Sequence, residues 1–155
     1  MPPHAANDNK AIHTSAMPNP ARNSLRKMER LHGKKSIEAL FRSGSSYTAS
    51  PIRMLYIARG IPDAGSMAAA FSVPSKTFKN AVDRNLLKRR MREAYRQNKT
   101  TLYDTVRKAK VQCTAMFIYI AKSKLPYSEI ESKLLVTLHH LQKRIEHEES
   151  ADSAH

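Results

Sequence analysis

The sequence predicts an α+β fold, a small sheet of about four strands with three helices packed on it. Three observations point there. The apolar period switches between two and 3.6 along the chain in the order α-β-β-α-β-α, which places helices beside a sheet. Apolar residues make up 41% of 155 residues, enough for one compact core in a chain of single-domain length. Turn-forming residues, among them Gly60, Pro62 and Gly65, separate the periodic segments.

Residues 1–24 hold four of the eight prolines and four asparagines without any recurring apolar period, so they read as a disordered tail. A short helix fits 35–42, with Ser36 as its candidate cap, Ile37, Leu40 and Phe41 as its apolar side and Gly44 as its stop. From Tyr47 to Arg59 the pattern alternates. Ile52, Met54, Tyr56 and Ala58 share one face, and Leu55 and Ile57 share the other with Arg53 and Arg59. The turn chemistry from Gly60 to Ser66 predicts that the next apolar run, 67–73, pairs with this strand in antiparallel fashion. Residues 112–122 are largely apolar on both faces, as a central strand is. Ser128 and Glu131 form a capping-box pattern, after which Ile130, Leu134, Leu138, Leu141 and Ile145 recur at helical spacing. The end of the chain carries Glu146, Glu148, Glu149 and Asp152 without a Lys or Arg, which reads as an acidic tail over 146–155. The folded domain is expected to span 25–145.

Lys and Arg number 27 against 13 Asp and Glu, a net charge of +14. So large an excess on a short chain implies a polyanionic partner, nucleic acid first and an anionic membrane surface second. No run approaches the roughly 18 apolar residues of a membrane span, and the first residues lack the apolar centre of a signal peptide. The single cysteine, Cys113, excludes an internal disulfide framework and a cysteine-based zinc site. It lies mid-strand, where a small core residue is expected rather than a nucleophile. These features predict a soluble, cytoplasmic protein.

The charge concentrates in two places: eight cations against two acids over 22–53, and twelve against three over 76–110. The informative stretch is 81–96, AVDRNLLKRRMREAYR. On a helix, Leu87, Met91, Ala94 and Tyr95 fall within one arc and should pack on the sheet. Arg84, Lys88, Arg92 and Arg96 climb the other side as a ridge, with Asn85 and Arg89 beside it. Like charges four apart repel by a few tenths of a kcal/mol per pair, which a partner anion would offset. Arginine grips phosphate oxygens with two bonds, and Asn85 could reach a sugar hydroxyl or a base edge. A solvated amphipathic helix is the plainer alternative, but six cations against one acid over 84–96 is not the usual mixture of signs. A membrane-surface helix would need a broader apolar stripe with Trp or Phe. A helix-turn-helix reader of DNA would need a preceding helix, whereas a strand and Pro74 come first.

The same residues carry a resemblance. Asn80-Ala81-Val82, Arg84-Asn85, Lys88-Arg89, Arg92-Glu93 and Arg96 resemble the signature helix of the protein subunit of bacterial ribonuclease P. Leu31 to Gly44, with Phe41 before Arg42-Ser43-Gly44, is similar to that family's first helix. Ser72-Val73-Pro74-Ser75-Lys76 resembles the strand end that feeds its basic helix. The similarity covers about 25–145, with two departures. Leu86 stands where the family usually has a base, and Ile37 where it commonly has an aromatic residue.

The resemblance implies a mixed sheet with a left-handed β-α-β crossover, of the ribosomal protein S5 domain 2-like kind. Pattern reasoning alone would expect the opposite hand. It implies that the protein helps a catalytic RNA remove the 5′ leader from precursor tRNA. The partners are then the catalytic RNA subunit and precursor tRNA, with no DNA and no membrane. Magnesium is the implied ion, bound mainly by the RNA, with no organic cofactor. The implied RNA-binding residues are Arg84, Asn85, Lys88, Arg89, Arg92, Arg96, Lys76 and Lys79. The implied leader cleft holds Phe41, Tyr56, Ile37 and Arg53, where stacking on aromatic rings would hold a single strand. Phe41 could equally be a core residue, while the Tyr56 hydroxyl argues for partial exposure. The runner-up function is a ribosomal or ribosome-associated RNA-binding protein. Protein-centred catalysis has little sequence support: the seven histidines form no paired metal spacing, and no protein metal ligand or catalytic residue is expected. Asp83 and Glu93 read as solvated carboxylates that could at most help order hydrated magnesium.

Overall fold

The computed structural model describes residues 30–31, 33–62 and 65–153. The expected tail over 1–24 lies outside the described residues. Four strands, β1 (Ser45–Ala49), β2 (Ile52–Gly60), β3 (Ser66–Ser72) and β4 (Val111–Tyr119), form one sheet in the order β1-β2-β4-β3. Among the described residues four helices accompany them: α1 (Lys34–Ser43), α2 (Ala81–Asn98), α3 (Thr100–Ala109) and α4 (Tyr127–Ser153). β1 and β2 are antiparallel, β2 and β4 are antiparallel, and β3 and β4 are parallel, so the sheet is mixed.

The antiparallel pairing expected between β2 and β3 does not form, because β4 lies between them. The loop after Gly60 is instead tied toward the end of α3, where the Ile61 N–H donates to the Lys110 carbonyl at 2.8 Å. β4 is largely apolar on both faces because helices pack over both surfaces, with Gln112 and Thr114 as the polar positions on the α1 side. The run 47–59 is two strands, broken at Ser50-Pro51, with Tyr47 opposite Met54.

Alternation along each strand divides the apolar residues between two faces. On one face Ile52, Met54 and Tyr56 of β2, Met67 and Ala69 of β3, and Cys113, Ala115, Phe117 and Tyr119 of β4 meet the helices α2, α3 and α4 in the main core. On the other face a smaller cluster of Leu40, Leu55 and Met116 is completed by Leu31, Ile37, Ile57, Ala70 and Ile118, with α1 as its only helix among the described residues.

The helix ends differ from the expected caps. α1 begins at Lys34 after Gly33, whose φ of +100° suits glycine, so Ser36 lies inside the helix and does not cap it. Gly44 does stop α1: its N–H donates to the Leu40 carbonyl at 3.0 Å, and a Cβ there would collide with that oxygen. α4 begins at Tyr127, so Ser128 is also inside its helix, and the Pro126 carbonyl accepts from the Glu129 and Ile130 N–H groups. The helix does not end at 145 but runs to Ser153, with Gln142 bonded to Glu146 at 3.1 Å and Arg144 near Glu148 at 3.8 Å.

Candidate functional site

α2 divides between packing and presentation. Leu87, Met91, Ala94 and Tyr95 are completely buried against the sheet and α4, as their spacing predicts. That anchors the helix and turns its other side outward, where Asn85, Arg89 and Arg92 are exposed and Lys88 is half-buried. Lys76 and Lys79 are exposed in the connection that leads from β3 into α2.

Three arginines of α2 also act within the protein. Arg84 Nη1 donates to the Phe78 and Lys79 carbonyls at 2.7 and 2.8 Å, fixing the entry to the helix. Arg96 pairs with Glu93, donating from Nε to Oε2 at 3.1 Å and from Nη2 to Oε1. This bond holds the Glu93 carboxyl below its usual range. Arg90 was absent from the predicted site, and its Nη1 donates to the Leu125 carbonyl at 2.6 Å, fastening the connection between β4 and α4. The Tyr119 hydroxyl shapes the same connection, donating to the Ser123 carbonyl at 2.7 Å and accepting from the Leu125 N–H at 3.0 Å.

The carboxylates expected to be free in solvent are paired. Asp83 accepts from Lys124 Nζ at 3.1 Å, and Glu93 accepts from Arg96 and from Gln97 at 3.0 Å. Cys113 is fully buried, and burial pushes its thiol up to about 12, consistent with a core residue.

A groove of about 570 Å³ runs between α1 and α2 over β3. Its walls include Arg30, Leu31, Ile37, Ala70, Met116 and Arg92. Ile37 is thus placed in the groove, and Phe41, one turn further along the same side of α1, is 63% exposed. That exposure overturns the core alternative for Phe41.

Tyr56 requires a correction, because it is only 7% exposed and lies on the helix-facing side of the sheet. Its ring meets His140 edge-on at 6.3 Å, and His140 stacks on Tyr47 at 3.8 Å. Strand parity explains this: Tyr56 shares its face with Ile52 and Met54, and Leu55 is the residue directed toward α1. Arg53 is exposed on the α1 side, where its Nε donates to Ser46 Oγ at 3.3 Å. It sits on β2 rather than on the groove walls given above. The structure therefore brings Ile37 and Arg92 together, leaves Phe41 exposed one turn along α1 from Ile37 but outside the groove lining, keeps Arg53 apart on the α1 face, and removes Tyr56. Sequence reasoning missed Arg30, Leu31 and Met116. Leu31 opens the segment similar to a first helix, and Met116 pairs in register with Leu55, a contact that only the strand order discloses.

A protein-family model, Ribonuclease P, matches residues 25–142. The ribonuclease P protein component of Porphyromonas gingivalis is 31% identical over 122 residues, covering 79% of this chain and 89% of that protein. The ribonuclease P protein component of Chlorobium phaeobacteroides is 37% identical over 103 residues, covering 64% of this chain and 70% of that one. Among solved structures, a Staphylococcus aureus RNase P protein, a mutant defective in mRNA degradation, superposes with a TM-score of 0.59. It is 18% identical and covers 75% of this chain and 90% of that one, a likeness of fold.

Proposed function

The chain belongs to the ribonuclease P protein family, with the RNA-binding role of that enzyme's protein subunit, and on that premise we propose how its surfaces divide the work. The exposed side of α2, with Asn85, Lys88, Arg89 and Arg92 and supported by Lys76 and Lys79, holds phosphates of a folded catalytic RNA. The groove between α1 and α2 holds the single-stranded 5′ leader of precursor tRNA, with Ile37 on its wall and Phe41 as the platform for a base.

One observation carries this reading: Arg92 belongs to the cationic side of α2 and also lines the groove. An RNA held on α2 therefore lies beside whatever strand the groove takes. Phosphate contacts fix position without reading sequence, which suits a subunit that must place many different leaders. The RNA partner performs the cleavage and holds the magnesium ions that assist it. Among the described residues no group of three or more His, Cys, Asp or Glu is arranged to hold a metal ion. The contribution of Asp83 and Glu93 is to fasten Lys124 and Arg96.

Reconstitution tests the reading. RNA-free protein should leave precursor tRNA intact in magnesium, and adding the RNA that co-purifies with it should produce cleavage at the mature 5′ end. Robust cleavage by RNA-free protein, or co-purification of ribosomal RNA alone, would overturn it.

A further inference from the structure

We propose that a second groove, on the opposite flank of α1, is a binding site for an RNA phosphodiester held between Lys35 and Arg59. The proposal rests on the RNA-binding role given above but concerns a different surface. Leu40 is buried against Leu55 and Met116, so α1 seals the middle of the open sheet face and divides it in two. One half is the groove toward α2. The other is a smaller groove of about 270 Å³ whose lining includes Lys35, Ser36, Ile57, Arg59, Gln112 and Thr114.

Strand pairing assembles it. Ile57 is opposite Thr114 and Arg59 is opposite Gln112, so these four side chains stand on one face in two adjacent rows. Lys35 and Ser36 come down from the first turn of α1. Ser36, which does not cap the helix, is therefore available to the groove. Lys35, Ser36, Arg59 and Gln112 are all exposed, and Thr114 is half-buried.

The chemistry selects the ligand class. Two cations from different elements converge, and the named lining contains no carboxylate, so the groove concentrates positive potential. Arg59 can grip two phosphate oxygens with its fork, while Lys35 acts as a point charge. Ser36, Gln112 and Thr114 add neutral donors and acceptors of the kind that meet a ribose hydroxyl. Ile57 supplies an apolar floor for a sugar. At about 270 Å³ the space lies just below the roughly 300–1,000 Å³ of small-ligand pockets, which suits one nucleotide unit rather than a helix. The phosphodiester can come from the catalytic RNA or from the leader.

Salt titration of binding tests the site and separates the sources. Full-length protein, the Lys35→Ala/Arg59→Ala double variant and the charge-keeping Lys35→Arg/Arg59→Lys variant are each titrated against the RNA subunit alone. They are then compared, as reconstituted enzyme, on precursor tRNA with short and long leaders. Losing the one phosphate that both cations hold should lower the salt slope by about one, and the charge-keeping variant should restore it. A drop with the RNA subunit alone assigns the phosphodiester to that RNA, and a drop confined to long leaders assigns it to the substrate. Either result supports the site. A slope unchanged on every RNA overturns it. Wild type and Lys88→Ala run alongside. If wild type fails to bind the RNA subunit, the functional reading fails. If wild type binds and Lys88→Ala lowers the slope while the double variant does not, only the groove fails.

Discussion

Phe41 and Tyr56 sit on opposite sides of the sheet, and that difference sets opposite expectations for the same kind of substitution. Tyr56→Ala removes a ring from the main core, so unfolding in urea should show a loss of about 3–5 kcal/mol. Its effect on leader-bearing and mature tRNA should be equal, since it acts through the folded fraction. Phe41→Ala should change stability by no more than about 0.5 kcal/mol, as an exposed site does. It should weaken binding of leader-bearing substrate by about 1–3 kcal/mol and leave mature tRNA unaffected. An equal loss on both substrates would remove Phe41 from the leader site. The strand alternation already placed Tyr56 with Ile52 and Met54, so its burial was legible. The match to a family cleft position placed it on the other face, and on a strand neighbouring residues point to opposite faces. His140 yields a pH prediction. Burial, then the Arg144 charge, holds its imidazole below the usual value near 6.5. Tyr47 and Tyr56 face the same ring. As pH falls through that range the unfolded chain takes up the proton before the folded one, so stability declines toward acid. His140→Phe keeps the ring and removes the proton site. Wild type should therefore lose more melting temperature than the variant between pH 7 and pH 5, and parallel curves would show that His140 does not contribute.

Among the elements, α2 was read almost to its ends, because a narrow buried stripe and a cationic side both repeat at helical spacing. The sheet order was not legible. The link after Gly60 has the composition of a hairpin turn, and nothing local tells the chain that β4, some fifty residues later, will enter between β2 and β3. α3 was missed for another reason: only Leu102 and Val106 are its buried residues, and a single residue, Lys99, separates it from α2. Two successive helices then look like one pattern losing phase. Within α2, neighbouring cations have different duties. Lys88→Ala should lower the salt slope of binding to the RNA subunit by about one unit with little change in stability. Arg90→Ala removes a charged donor from the Leu125 carbonyl, so about 1.5–3 kcal/mol of stability should be lost. Its salt slope should stay close to that of wild type. If the two variants exchange behaviours, the outward side of α2 has been misassigned.

At the scale of the whole molecule, one sheet serves two purposes on its two faces. The face under α2, α3 and α4 carries most of the buried apolar residues, and the face under α1 is only partly covered and is bordered by cations. A net charge of +14 weakens the compact state by self-repulsion, and a bound polyanion relieves it. A partner that binds only the folded chain stabilises it by mass action, about 2.7 kcal/mol at a hundredfold excess over Kd. At a fixed RNA concentration the increment depends on affinity alone, so it should separate residues that maintain the fold from residues that hold RNA. Leu134→Ala opens a cavity in the main core and should cost about 2–5 kcal/mol in the free protein. Its folded form still presents the same α2, so the RNA subunit should raise its stability by the same increment as wild type. Arg89→Ala and Arg92→Ala should unfold like wild type when free, yet gain less from the RNA, and the deficit should shrink as salt rises because the lost contacts are electrostatic. Thermal unfolding with and without the RNA subunit, at two salt concentrations, measures both quantities in one series. A shortened increment for Leu134→Ala with a full one for Arg92→Ala would mean that RNA is not held on the outward side of α2, and the division of that helix between packing and RNA binding would be wrong.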